Sequence, residues 1–159
     1  MTDTRWLNDD EQRMWRRYRH VNQLLELAME RQLQRDAAMS QSDYSVLVCL
    51  SEADGSGLRA RELGAALGWD RSRVSHQVRR MEGRGLVSKG TCAEDGRGTI
   101  VTLTPEGARA IAEVAPKHVD KVRDLFIDVL SEDEVRALTD IYDRIIDRIG
   151  DVDGITLPS

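Results

Sequence analysis

Residues 60–105 read ARELGAALGWDRSRVSHQVRRMEGRGLVSKGTCAEDGRGTIVTLTP, and the order of signals within them decides the fold. A short helix is predicted from Ala60 to Leu67, stopped by Gly68, since glycine readily takes the left-handed backbone that ends helices. After Trp69, the Asp70 carboxylate can accept hydrogen bonds from the first backbone N–H groups of a second helix, which is predicted to run to about Gly83. Leu63 and Leu67 give the first helix an inward stripe, and Val74, Val78 and Met81 give one to the second. The small Gly64 and Ala65 allow the two helices to cross closely. Two helices joined by about three residues form a helix-turn-helix. Gly85–Lys89 and Thr99–Thr104 then flank Glu94-Asp95-Gly96-Arg97-Gly98, two short strands about an Asp-Gly turn. A hairpin placed there is the wing of a winged helix.

The flanking chain has helical period throughout. From Asp9 to Arg35, Met14, Tyr18, Val21, Leu25 and Ala28 share one face, with arginines and glutamates opposite. Ser40, Ser42 and Asp43 supply starting oxygens for a helix through Tyr44, Leu47, Val48 and Leu50, which ends at Asp54-Gly55-Ser56-Gly57. Thr104-Pro105-Glu106 opens another helix, in spite of the weak helix former Gly107. Its stripe is Ile111, Ala115, His118, Val122, Leu125 and Val129. Ser131-Glu132-Asp133-Glu134 is a capping box for a last helix bearing Val135, Leu138, Tyr142, Ile145 and Ile149. The expected fold is mainly α with a small β-hairpin wing: a winged helix-turn-helix with N- and C-terminal dimerisation helices. Its parts are an N-terminal dimerisation helix over 1–35, the DNA-binding unit over 40–104, C-terminal dimerisation helices over 105–150, and a frayed tail over 151–159.

Composition narrows the function. Charged residues are 32 % of 159 and the net charge is −5, so the whole chain has no general attraction for nucleic acid or anionic membrane. The longest apolar run, Val46–Leu50, cannot span a bilayer and the acidic start is no secretory signal, so a cytoplasmic location is expected, away from membranes. The two cysteines and three histidines lack metal-ligand spacing, so neither a metal nor a cofactor is expected. Gly55-Ser56-Gly57 has neither the length nor the lysine of a phosphate loop, and no catalytic constellation is present, so an enzyme is not expected.

Charge is unevenly placed. Between Arg59 and Arg97 nine cations face five carboxylates, a surplus of four, which leaves −9 on the rest of the chain. On the helix opened by Asp70, the residues off the apolar stripe are Arg71, Ser72, Arg73, Ser75, His76, Arg79 and Arg80. Arginine binds guanine bidentately, while serine and imidazole reach base edges or phosphate, and short serines let a helix sit deep in the major groove. Ser72, Arg73, Ser75 and His76 are therefore expected on base edges, and Arg71 and Arg79 on phosphates. The alternative is a basic, solvated helix on a protein-interaction module, and a groove-facing surplus of Arg and Ser with a wing arginine is what separates the two readings. The two C-terminal helices are too long and too regularly apolar for a winged-helix core to cover, so their stripes call for a partner, the alternative being that they pack within one chain. The residues assigned to a homodimer interface are Met14, Tyr18, Val122, Leu125, Val129, Leu138, Tyr142, Ile145 and Ile149.

Arg61-Glu62-Leu63-Gly64 with Leu67-Gly68, Ser72-Arg73-Val74-Ser75, Leu86-Val87, Asp95-Gly96-Arg97 and Val101-Thr102-Leu103-Thr104-Pro105-Glu106-Gly107 follow one another in an order that resembles the MarR family of transcription regulators. The resemblance covers roughly residues 10–149. It implies a dimer whose first and last helices interlock beneath two wings astride adjacent grooves of double-stranded operator DNA. It also implies that Arg97 enters the minor groove, where negative potential is concentrated, and that Asp95 steadies the wing by pairing with a basic neighbour. A two-fold dimer then expects a pseudopalindromic operator with half-sites about one helical turn apart. A repressor relieved by a small ligand is the expected role, with activation open because the sign depends on where the operator lies relative to the promoter. Family members often bind small aromatic or anionic effectors, for which Trp15, Arg16 and His20 are the candidates here. Cys49 reads as a core residue and Cys92 as a residue at the wing base, with no N-terminal cysteine of the kind redox sensors of the family use.

Overall fold

The computed structural model describes residues 4–53, 55–91 and 98–153. Asn8 caps the first helix, α1 (Asp9–Ala37), in a reciprocal capping box with Glu11, and Asp9, Asp10 and Glu11 place negative charge at its positive end. Ala38 turns the chain sharply with a left-handed φ of 47°. Ser40 then caps α2 (Gln41–Glu52), with Asp43 as the reciprocal partner. The predicted starts of both helices hold.

Next come β1 (Leu58–Arg59), α3 (Ala60–Leu67), α4 (Arg71–Gly83), β2 (Val87–Thr91) and β3 (Thr99–Leu103). Strands β2 and β3 pair antiparallel with Thr91 opposite Thr99, as the hairpin reading requires. A further strand was not expected: β1 adds to the other edge of β3, with Leu58 opposite Val101, so the sheet has the order β1-β3-β2. It anchors the start of the helix-turn-helix to the wing.

Helices α3 and α4 touch at Gly64, where an added Cβ would lie 3.0 Å from the Trp69 carbonyl oxygen and 3.3 Å from Val74. Ala65, expected to share that crossing, is instead exposed. The core gathers Leu33, Met39, Leu47, Leu63, Met81 and Val101 between α1, α2, the helix-turn-helix and the sheet.

Helix α5 (Pro105–Val122) starts at Thr104, whose hydroxyl accepts from the Gly107 N–H and donates to the Gly85 carbonyl. Gly107, weak as a helix former, sits where any Cβ would collide with the Leu86 carbonyl oxygen, so the α5 start rests directly on the base of the wing. The stripe expected as one continuous helix toward Val129 is not continuous. Regular α-helix ends at Val122 and a π-helical turn follows over Arg123–Ile127, closed by the Asp128 N–H on the Arg123 carbonyl. Along α5, Ile111 and Val114 bury themselves in their own chain's core, and His118 meets Gln32 and Tyr44, so this part of the helix needs no second subunit to cover it. Ser131 and Glu134 form the expected cap of α6 (Glu132–Asp153). Every α6 residue from Thr139 to Ile149 is exposed.

Candidate nucleic-acid interface

The face of α4 is set by its burial pattern. Val74, Gln77, Val78 and Met81 are buried, while Arg71, Ser72, Arg73, Ser75, His76, Arg79 and Arg80 are all exposed on the opposite side. The Asp70 carboxylate accepts from the Arg73 N–H at 2.9 Å, so the end of α4 that carries Arg71 to His76 is a closed, capped turn. Arg73 holds its guanidinium over the Trp69 ring, 4.2 Å from the centroid. This contact limits the rotamers of a long side chain at the site expected to touch bases.

A cleft of about 720 Å³ runs between α3, α4 and the sheet, lined by Arg59, Arg61, Trp69, Arg71, Ser75 and Lys89 among others. One recess thus joins the exposed face of α4 to the wing strands. Arg71, Arg79 and Arg80 carry no ion pair among the described residues. Three other cations of the basic segment are engaged internally: Lys89 pairs with Glu82 at 2.7 Å, Arg84 with Asp43 at 2.8 Å and, more loosely, Arg61 with Glu62 at 3.9 Å. The positive field is therefore concentrated on the first three turns of α4. Arg97 and Asp95, the expected minor-groove residue and its wing-steadying acid, lie outside the described residues, as does Cys92.

Asp43 is a buried carboxylate. Burial raises its pKa, but hydrogen bonds from the Ser40 backbone and hydroxyl and the Arg84 guanidinium more than offset this and hold the carboxyl below its ordinary value. Burial lowers the pKa of His118, which shares Nδ1 with the Gln32 Oε1 at 3.0 Å. Cys49 is half-buried, and burial followed by nearby Glu52 pushes its thiol up, away from the reactive thiolate. No cluster that could hold a metal ion is present among the described residues. No helix among them is long and apolar enough to cross a membrane.

The profile of the MarR family matches residues 39–98, which span α2, the helix-turn-helix and the first wing strand. AbsC of Streptomyces coelicolor, a MarR family transcriptional regulator, is 39 % identical, with a TM-score of 0.88 over 92 % of this chain and 98 % of its own. The chain belongs to the MarR family. Another MarR family regulator of Streptomyces coelicolor, Sco3205, solved in complex with DNA, is also 39 % identical and superposes with a TM-score of 0.86 over 91 % of both chains. An HTH-type transcriptional regulator of Bacillus subtilis, YdgJ, is 28 % identical over 72 % of this chain and 68 % of its own. The protein is thus a winged-helix transcription regulator of the MarR family and not an enzyme.

Within this MarR-family frame, Trp69 and Gln77 were not singled out from sequence. The Trp-x-x-x-Arg spacing that puts a ring beneath Arg73 was the one available signal for the first. Of the residues assigned to a dimer, Met14, Tyr18, Val129, Tyr142, Ile145 and Ile149 are exposed, whereas Val122, Leu125 and Leu138 are half-buried in the single chain. The effector candidates separate. Arg16 and His20 line a groove of about 510 Å³ on α1 with Asp9, Gln12, Arg13 and Arg17. Trp15 is not part of that lining and stacks on Tyr18, their ring centroids 5.4 Å apart.

Proposed function

We propose that this regulator is a homodimer that binds a pseudopalindromic double-stranded operator in the cytoplasm and represses transcription from it. The single observation that carries the reading is the exposed row Arg71, Ser72, Arg73, Ser75, His76 and Arg79 on a capped helix whose other side is locked into the core. A helix so presented offers its N-terminal residues to base edges and its arginines to phosphate. The DNA complex of Sco3205 supports the assignment of DNA as the ligand. Arg97, carried over from the family resemblance, is assigned to the minor groove, with Asp95 as its steadying acid.

The dimer is assigned to the two chain ends. Met14, Tyr18, Val21 and Leu24 on α1 and Ile141, Tyr142, Ile145, Ile146 and Ile149 on α6 form long exposed apolar stripes at both termini. Contiguous apolar surface of this extent marks an interface, and a second copy supplies the matching stripes. Val122, Leu125, Val129 and Leu138 would add to it at the α5–α6 bend. The groove of Arg16 and His20 is the place assigned to a small anionic effector, with the Trp15–Tyr18 stack beside it for an aromatic one.

Selection of bound sequences from a random duplex pool tests the reading. The expected product is an inverted repeat with half-sites about one helical turn apart. Alanine at Arg73 should then cost about 1–3 kcal/mol at one base pair, whereas alanine at Arg71 or Arg79 should weaken all sequences alike. If Ser72, Arg73, Ser75 and His76 variants all left the ratio of specific to non-specific binding unchanged, α4 would not be the reader. A protein-interaction module would then be the better account.

A further inference from the structure

The Asp43 side chain lies at the junction of α1 and α2, is only 1 % exposed, and accepts hydrogen bonds from three separate places. One oxygen takes Gln77 Nε2 at 2.6 Å, from the middle of α4. The other takes the Ser40 N–H at 2.9 Å and Arg84 Nη1 at 2.8 Å, the latter from the residue that caps the far end of α4. Arg84 continues the chain of contacts: its Nη2 donates to the Ala38 carbonyl at 2.9 Å, at the left-handed residue where α1 stops.

We propose that Asp43, Gln77 and Arg84 are positioning residues that fix the pitch of α4 against the end of α1, and so set which half-site spacing the dimer accepts. The inference rests on the reading of the protein as a dimer bound to paired half-sites. Gln77 and Arg84 are seven residues apart, about 10 Å along a helix axis. Both reach the Asp43 carboxylate, and Arg84 also holds the Ala38 carbonyl, so the middle and the far end of α4 are tied to two different points, which fixes the tilt of the helix as well as its place. The apolar contacts of Val78 and Met81 tolerate small slides, because dispersion and burial are non-directional. A charge-assisted hydrogen bond has a preferred length and direction. A buried ionic group contributes little net stability over an apolar replacement of the same shape, so its use here is in orientation. Ser72 and Arg73 lie a turn or more along α4 from Gln77, so a tilt about that anchor moves these expected base contacts. The other end of the network is the junction with α1, one of the helices assigned to the dimer, and the relative placement of two α4 helices is thereby tied to the subunit interface.

The test compares wild type, Arg84→Lys and Arg84→Met on the selected operator and on duplexes with one base pair added or removed between half-sites. Wild type should prefer one spacing sharply. Both variants should flatten that preference and lose roughly two- to thirtyfold in operator affinity with the salt dependence kept. Lysine is the informative change, since it keeps the charge but one ammonium cannot replace the fork that joins Asp43 to the Ala38 carbonyl. If lysine restored wild-type affinity and spacing, and methionine lowered the salt dependence by about one phosphate per subunit, Arg84 would be a phosphate contact and the proposal would fall. Asp43→Asn, with folding checked by circular dichroism, should flatten the spacing preference in the same way, and a folded variant with unaltered preference would also overturn it. If wild type bound no paired half-sites at all, the functional reading itself would fail, and this inference with it.

Discussion

Replacing Ile145 by glutamate is the sharpest perturbation of the proposed dimer. Ile145 sits mid-way along α6, 48 % exposed in the single chain, between Ile141, Tyr142, Ile146 and Ile149 on a helix whose central residues touch little of their own subunit. Fully burying an isoleucine side chain is worth about 1.5–3 kcal/mol, and roughly half of that remains to be gained here, so each copy contributes about 1 kcal/mol to association. Two-fold symmetry doubles this to about 2 kcal/mol, or roughly thirtyfold in the dimer dissociation constant. A carboxylate buried without a partner adds several kcal/mol more, taking the expected weakening beyond about a thousandfold. Sedimentation equilibrium across a range of micromolar concentrations should show wild type at twice the 18.0 kDa subunit mass and the variant near the monomer mass. The winged-helix core is remote from α6, so near-native helical circular dichroism should remain. A variant that dimerised as tightly as wild type would refute the assignment of α6 to the interface, and a monomeric wild type that still bound operator tightly would refute the dimer.

Trp69→Leu keeps apolar bulk at the turn but removes the ring under Arg73. Discrimination at one base pair should fall about two- to fivefold, the worth of an exposed cation–π contact, and equal weakening on every sequence would count against it. The Asp43 carboxyl, held below its ordinary 3.8, confers stability that is complete above that value and lost as pH falls through the lower folded-state value. Asp43→Asn should therefore be clearly less stable than wild type in urea unfolding at pH 7, with the gap narrowing near pH 3. An unchanged gap would mean that the charge contributes nothing.

What the sequence made legible is what is local. The Gly68 stop, the Asp70 cap and the alternation of Val74 and Val78 with arginines and serines lie within a few residues of one another, and the structure reproduces α3 and α4 at the expected boundaries. The Thr104-Pro105 start and the Ser131 capping box held for the same reason. Strand β1 was missed because two residues carry no period and follow a glycine-rich turn. The end of α5 at Val122 was missed because a π-helical turn preserves an apolar stripe while shifting its phase. Gly64 and Ala65 looked equivalent by size, and only the crossing geometry separated them.

The charge of the basic segment shows most directly why a site needs its fold. Counted along the chain, Arg84 and Lys89 belong with Arg71 and Arg79 as candidates for phosphate. In space, Arg84 is joined to Asp43, 41 residues earlier, and Lys89 to Glu82 across the start of the wing. A carboxylate that lies outside the counted window neutralises a cation inside it, so local composition overstates the field that DNA would meet. Four of the others, Arg71, Arg73, Arg79 and Arg80, are gathered on the exposed side of one helix, and the same ion pair that removes Arg84 from that surface is the one proposed to orient the helix that bears them. Net charge in a short segment therefore locates the binding element, whereas long-range pairing decides which of its cations bind and which hold the others in place.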